Sequence, residues 1–240
     1  MLICPVIRRP TLIDLTANCI AHYKMNDDAA TTNVIDSMLF SDGTAEQNTE
    51  DINTDGQVNG ALTFDKTVPD GINLNNGFLS VLQNNFSFAL WAKPNDGQPV
   101  GTQYFIAKIK PEGTAYIQLN ADGTITASYS IYGIGALTYY SDVIFNNGVE
   151  DWHFLVMTVE QLTPTTGKLS FYFDGQFKGS STGDMVMSSF GNNENLSLGI
   201  LDLSNPFDGA IDNVMIFDKA LTPAEVAFLW NNGQGRETLA

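Results

Sequence analysis

The sequence predicts an all-β fold with one short helix near its C-terminus, and three observations predict it. Short segments rich in aromatic and β-branched residues recur from residue 20 onward, separated by Gly, Asn, Asp and Pro. Two separations are Asp-Gly pairs, Asp122-Gly123 and Asp174-Gly175, which suit tight hairpin turns. Only one segment reads as a helix. Thr222 caps it, Pro223 takes its first position and Glu225 completes a capping box. Val226, Phe228, Leu229 and Trp230 give that helix an apolar side, and Gly233 supplies a stop.

The elements follow in order. Residues 1–19 read as an extended arm. Pro5 and Pro10 exclude a continuous helix, while Leu2, Ile3, Val6, Ile7, Leu12 and Ile13 offer apolar contacts. The alternative for this segment is a first edge strand of the main sheet. "IAHYKMN" opens the β pattern, and an acidic loop runs from Asp36 to Gly60 before "ALTFD". "FSFALWAKP", "QYFIAKIK", "AYIQLNADGTITASYSI", "LTYYSDVIF", "WHFLVMTVE", "KLSFYFDGQFKGSS" and "NLSLGI" continue it. Leu169, Phe171 and Phe173 alternate with Lys168, Ser170 and Tyr172, which predicts one wet face for that strand. In "FDGAIDNVMIFD", strict alternation puts Asp212, Val214 and Ile216 on one face and Ile211, Asn213, Met215 and Phe217 on the other. An inward Val/Ile face then carries Asp212 inward, where a carboxylate needs backbone donors, a cation or a metal. No change of composition divides residues 20–233, so the chain is read as an arm (1–19), one domain (20–233) and a tail (234–240).

Bulk properties narrow the function. The 240 residues are 43% apolar, enough for a sizeable core, and only 16% charged. The net charge of −16 repels phosphate backbones, which argues against nucleic-acid partners, and it permits divalent cations. Two cysteines, Cys4 and Cys19, make neither a disulfide framework nor a zinc site. No run of 18 apolar residues exists to insert in a membrane. The first residues place Pro and an Arg pair where a secretory signal has its apolar core, so no export leader is expected there.

"FSFALWAKP", "DWHFLVMTV", "GKLSFYFDGQFKGS", "LSLGI" and "FDGAIDNVMIFDKALTPAEVAFLW", in that order and spacing, resemble the laminin-G-like modules of the concanavalin A-like lectin/glucanase superfamily. "IAHYKMND", "VIDS", "SDGTA" and "VNGALTFD" resemble the opening of the same modules, so the resemblance covers roughly residues 20–232. It implies a jelly-roll sandwich of two antiparallel sheets. The chain departs from the pattern in two places. Asn213 and Met215 stand where Glu and Arg are common, and "MLF" replaces the Gly-rich stretch after "DS".

Enzymes of the superfamily carry closely spaced strand acids, Glu-x-Asp-x-x-Glu or Glu-x-Asp-x-Glu, and no such triplet occurs here. Glu46, Glu50 and Asp51 lie in the acidic loop, and His153 sits in "DWHF" as a packing or hydrogen-bonding residue. No catalysis is read. The resemblance also implies a structural calcium between the first and last strand regions, with Asp212 met by Asp36 or Asp27; the alternative for Asp212 is a set of backbone N–H donors. For glycans, "SYSIYGIGALTYYSDVIF" offers Tyr129, Tyr132, Tyr139 and Tyr140 as aromatic platforms, against ordinary cross-strand packing. The expected role is a non-enzymatic lectin-like jelly-roll on a phage virion surface, as a capsid decoration or fibre-associated protein. It would be homo-oligomeric, joined to other virion proteins through the arm and facing cell-surface glycans. The alternative is a secreted carbohydrate-binding module or adhesin.

Overall fold

The structure, a computed structural model, describes residues 12–68, 70–75, 85–110, 113–186, 195–200 and 205–240. Most of the expected arm, including Cys4, Pro5, Arg8, Arg9 and Pro10, lies outside the described residues. The first half of the chain forms β1 (Cys19–Tyr23), β2 (Asn33–Val34), β3 (Gly43–Ala45), a single turn α1 (Thr49–Ile52), β4 (Asn53–Asp55), β5 (Gly60–Phe64), β6 (Ile72–Asn73) and β7 (Asn85–Pro94). The second half forms β8 (Gln103–Lys110), β9 (Gly113–Leu119), β10 (Ile125–Ile131), β11 (Gly135–Tyr140), β12 (His153–Thr163), β13 (Thr166–Phe173), β14 (Gln176–Asp184), β15 (Ser197–Leu198), β16 (Gly209–Phe217) and α2 (Pro223–Trp230). The stretch read from sequence as one acidic loop therefore holds β3, α1 and β4. These elements are too short to show a period.

Two antiparallel sheets face each other. One runs β14-β13-β12-β7-β16-β5-β4, with β1 also on β16; the other runs β11-β10-β9-β8-β15-β6-β3-β2. Between them lies the main core, built from alternate residues such as Phe86, Phe88 and Leu90 on β7 and Ile125, Ala127 and Tyr129 on β10. A second core covers the outer face of the first sheet. There Ala89, Trp91, Phe154, Val156, Tyr172, Met215 and Phe217 meet Leu15, Val226, Leu229 and Leu239. Ser170 and Tyr172 are consequently buried, so the face of β13 predicted to be wet is covered.

The helix that supplies this cover forms as its sequence dictates. Thr222 Oγ1 accepts from the Glu225 backbone, the Glu225 carboxylate accepts from the Thr222 backbone, and Pro223 begins the first turn. Termination comes earlier than Gly233. Asn231 takes the left-handed conformation at φ 50° and ends the α-helix at Trp230. Val226 and Leu229 are fully buried, worth about 1.5–3 kcal/mol each by transfer. The tail is packed as well, with Leu15 N–H donating to Leu239 O at 2.8 Å.

The phase of β16 differs from strict alternation. Asn213 sits at φ 51°, and the pairing with β7 slips between Asp212 and Met215, which marks a β-bulge. The bulge lies where β16 changes partner: Ile211 pairs with Leu62 of β5, whereas Val214 pairs with Tyr23 of β1. One extra residue returns Val214 and Ile216 to the same core as Ile211. Asp212, opposite Trp91, is left on the second-core side. The expectation that Asp212 shares a face with Val214 and Ile216 is thus corrected. It is fully buried, on the other side of the sheet.

Candidate functional site

Strands β8 to β11 form a meander whose alternation divides two surfaces. Ala115, Ile117, Leu119, Ile125, Ala127, Tyr129 and Leu137 enter the core. Their neighbours face outward and line up across the strands. One rung is Tyr104–Gln118–Thr126–Tyr140, and the next is Ala107–Tyr116–Ser128–Thr138. Thr114 and Ser130 begin a third.

These side chains hold one another in place. The Thr114 and Ser130 hydroxyls are 2.8 Å apart, and those of Ser128 and Thr138 are 2.9 Å apart. Gln118 Nε2 donates to Asn120 Oδ1 at 2.8 Å, and Asn120 Nδ2 donates to Thr126 Oγ1 at 2.9 Å. Tyr104 and Tyr116 meet edge to face with centroids 5.6 Å apart. Burial, then the neighbouring Tyr116, raises the Tyr104 phenol, so it stays neutral. Tyr140 closes the rung and is 71% exposed. The arrangement sets aromatic rings beside hydroxyls and one planar amide.

The four tyrosines singled out from sequence separate. Tyr129 is buried in the core with its ring edge-on to Phe86 at 5.3 Å, so it offers no surface platform. Tyr139 also turns inward, stacks on Phe171 and donates to Lys178 O at 3.0 Å. Tyr132 lies exposed in the β10–β11 turn. Only Tyr140 joins the outward rung. Tyr104 and Tyr116 were missed; Tyr116 falls on the polar phase of "AYIQLN", whereas a register shift after Tyr104 breaks the alternation of "QYFIAKIK". The clue for Tyr116 was parity, where nearness in sequence misled.

Asp27, Asp36 and Asp212, the residues the resemblance implies for calcium, are each engaged by protein donors. Asp36 is fully buried and already accepts from four backbone donors: His22 and Met38 on Oδ1, Phe40 and Ser41 on Oδ2, at 2.8–3.1 Å. A cation there would displace the bonds that shape the 36–41 loop. Asp27 accepts from Ile35 N–H at 3.2 Å. Asp212 Oδ2 accepts from Val58 N–H at 2.7 Å, while Oδ1 has no partner among the described residues. Its cross-strand neighbour is the Trp91 indole, an N–H donor unsuited to coordinating a cation. Among the described residues no three Asp, Glu, His or Cys side chains are grouped to hold a metal ion. Backbone donors, the alternative, account for Asp36 fully and for one oxygen of Asp212.

A cleft of about 520 Å³ lies at the β5–β6 end and is lined by Gln47, Asp51, Thr63, Asp70, Asn95 and Asp208 among others. Lys66 reaches Asp208 at 2.6 Å, and Phe64 in its wall is only 3% exposed. The cleft therefore has acceptors but no presented ring within its lining. His153 packs on Phe173 with centroids 4.7 Å apart, and its Nδ1 lies 2.8 Å from Asp174 Oδ2. That is the packing and hydrogen-bonding role expected of it.

A family model described as "Concanavalin A-like lectin/glucanases superfamily" matches residues 65–227. The chain belongs to this superfamily. Domain 4 of AbnA, an extracellular GH43 arabinanase from Geobacillus stearothermophilus solved with arabinotriose, superposes with a TM-score of 0.64 at 23% identity, covering 91% of this chain and 98% of that one. The receptor binding domain of a botulinum neurotoxin C/D mosaic gives 0.67 at 13% identity, covering 90% and 51%. The binding domain of Paraclostridial Mosquitocidal Protein 1 gives 0.67 at 15%, covering 91% and 53%. The chain thus spans about half the length of the toxin domains and nearly all of the arabinanase domain. At these identities the likeness is one of fold. A search of curated proteins finds no match.

Proposed function

We propose that the chain is a non-catalytic glycan-binding module that engages sugars on the outward face of β8–β11. The observation that carries this is the rung Tyr104–Gln118–Thr126–Tyr140, which sets two rings at the ends of a row of neutral hydrogen-bonding groups. Lectin membership of the superfamily and an arabinotriose complex among the structural neighbours support it. The lack of a strand-borne acid triplet in the sequence supports a binding role over hydrolysis. Titration of a glycan panel by calorimetry tests the reading: saccharide binding that Tyr140→Ala weakens supports it, and no binding to any glycan overturns it.

The wider setting we propose is the surface of a virion, with residues 1–11 anchoring a homo-oligomer to other particle proteins, since Leu15 and Cys19 of the arm read from sequence are buried in the protein's own second core. The apolar side chains of that segment support the placement, because leaving them in water costs about 25 cal/mol per Å². Deleting residues 1–11 is expected to abolish assembly without changing Tm; intact assembly in the truncated protein removes the anchor. A secreted carbohydrate-binding module is the second reading, favoured by the near-complete overlap with one domain of an extracellular enzyme.

A further inference from the structure

We infer that the β8–β11 face selects neutral, extended oligosaccharide chains that span at least about three sugar rings from Tyr104 to Tyr140, an inference that rests on the glycan-binding reading. Neighbouring strands lie about 4.8 Å apart, so the three spacings between β8 and β11 separate the two tyrosine positions by about 14 Å. A single sugar cannot reach both rings. Thr126 and Ser128 lie between them, sunk to 3% and 4% exposure, so the floor of the face is low and its ends are aromatic. The half-buried hydroxyls of Thr114, Ser130 and Thr138 each bond a neighbouring hydroxyl at 2.8–2.9 Å and keep further bonding capacity for a ligand. Gln118 commits its amide N–H to Asn120 and leaves its oxygen as an acceptor.

Charge sets the class of sugar. The rungs carry Tyr, Gln, Thr, Ser and Ala and no ionised group. A uronic or sialic acid would bring a carboxylate to a protein of net charge −16 with no cation on the rungs to receive it. Arg236, the one arginine among the described residues, is committed elsewhere: it lies over the Phe228 ring at 4.0 Å and donates to Asn231 Oδ1 at 2.9 Å.

The experiment is calorimetry on the full chain with arabinan-, xylan- and cellulose-derived oligosaccharides of increasing length, and with oligogalacturonides as charged counterparts. Affinity is expected to rise with length up to about three sugars and then level off. Tyr104→Ala and Tyr140→Ala should each weaken the longer ligands about five- to tenfold and leave the monosaccharide unaffected. Tyr140→Phe, which keeps the ring, should retain most of the affinity and guards against a folding artefact. Equal affinity for one sugar and for four, or oligogalacturonide bound as tightly as the neutral chains, overturns the inference while glycan binding stands. Binding lost through Asp70→Ala or Asp208→Ala but not through the tyrosine variants moves the site to the end cleft and also overturns it. No binding to any saccharide overturns both.

Discussion

Asp212 owes its place to its neighbour. Asn residues tolerate the left-handed region better than most, and Asn213 uses it at φ 51° to absorb the extra residue of the bulge. The Asn213 side chain then joins two elements: its oxygen lies 2.7 Å from His22 Nε2, and its amide donates to Arg236 O at 2.9 Å. Burial pushes the Asp212 carboxyl up to about 8, from 3.8, against the Val58 hydrogen bond that favours the ion. Between those values the folded protein keeps a proton that the unfolded chain has released. The associated stabilisation is full below pH 3.8 and is lost as pH rises through about 8. Asp212→Asn, which mimics the protonated form, is expected to flatten the decline in Tm between mildly acidic and alkaline pH. Parallel Tm curves for the two proteins would show that the carboxyl is not held neutral. Asp36 is held by four backbone donors. Asp36→Ala strands those donors and is expected to cost about 3 kcal/mol or more in urea unfolding.

The best-announced element is α2. Its capping box was legible because capping is local: Thr222, Pro223 and Glu225 act within one turn. Thr222→Ala should therefore cost about 1 kcal/mol, or roughly 3 °C in Tm for a chain of this size, without changing saccharide binding. The Asp174-Gly175 turn was equally local, and both residues take positive φ, 50° and 72°. Strand faces were harder. The sequence of β13 suggests a wet side because Lys168, Ser170 and Tyr172 are polar or amphipathic, yet the second core covers Ser170 and Tyr172. On β10 and β11, nearness in sequence joined four tyrosines that the pleat then sent to different surfaces.

For the whole molecule, protein donors hold Asp36 and one oxygen of Asp212. The strap from Asn231 to Ala240 closes over the first sheet. Glu237 accepts from Asn26 at 2.6 Å and Asn59 at 2.8 Å and pairs with Lys24 at 3.2 Å, while Gln57 donates to Gly233 O at 2.5 Å. Burial opposes ionisation of Glu237, but these bonds outweigh it and hold its carboxyl below the usual range. Adding calcium or a chelator is thus expected to leave Tm unchanged; stabilisation by calcium that Asp36→Asn abolishes would restore the metal site. Truncation after Asn232 should lower Tm markedly, since it exposes part of the second core.

By itself, the sequence determined the all-β class, the Asp-Gly turns, the capped helix and, through ordered motifs, the superfamily. Each of these depends on residues adjacent along the chain or on a regular period. The tertiary structure decided which side of β16 holds Asp212, which tyrosines reach the surface, and what satisfies Asp36. Those outcomes turn on one bulge, on the pairing of strands far apart in sequence, and on a helix folding back over a sheet. Strict alternation cannot register an inserted residue, and no local pattern states which face of a strand a distant element will cover.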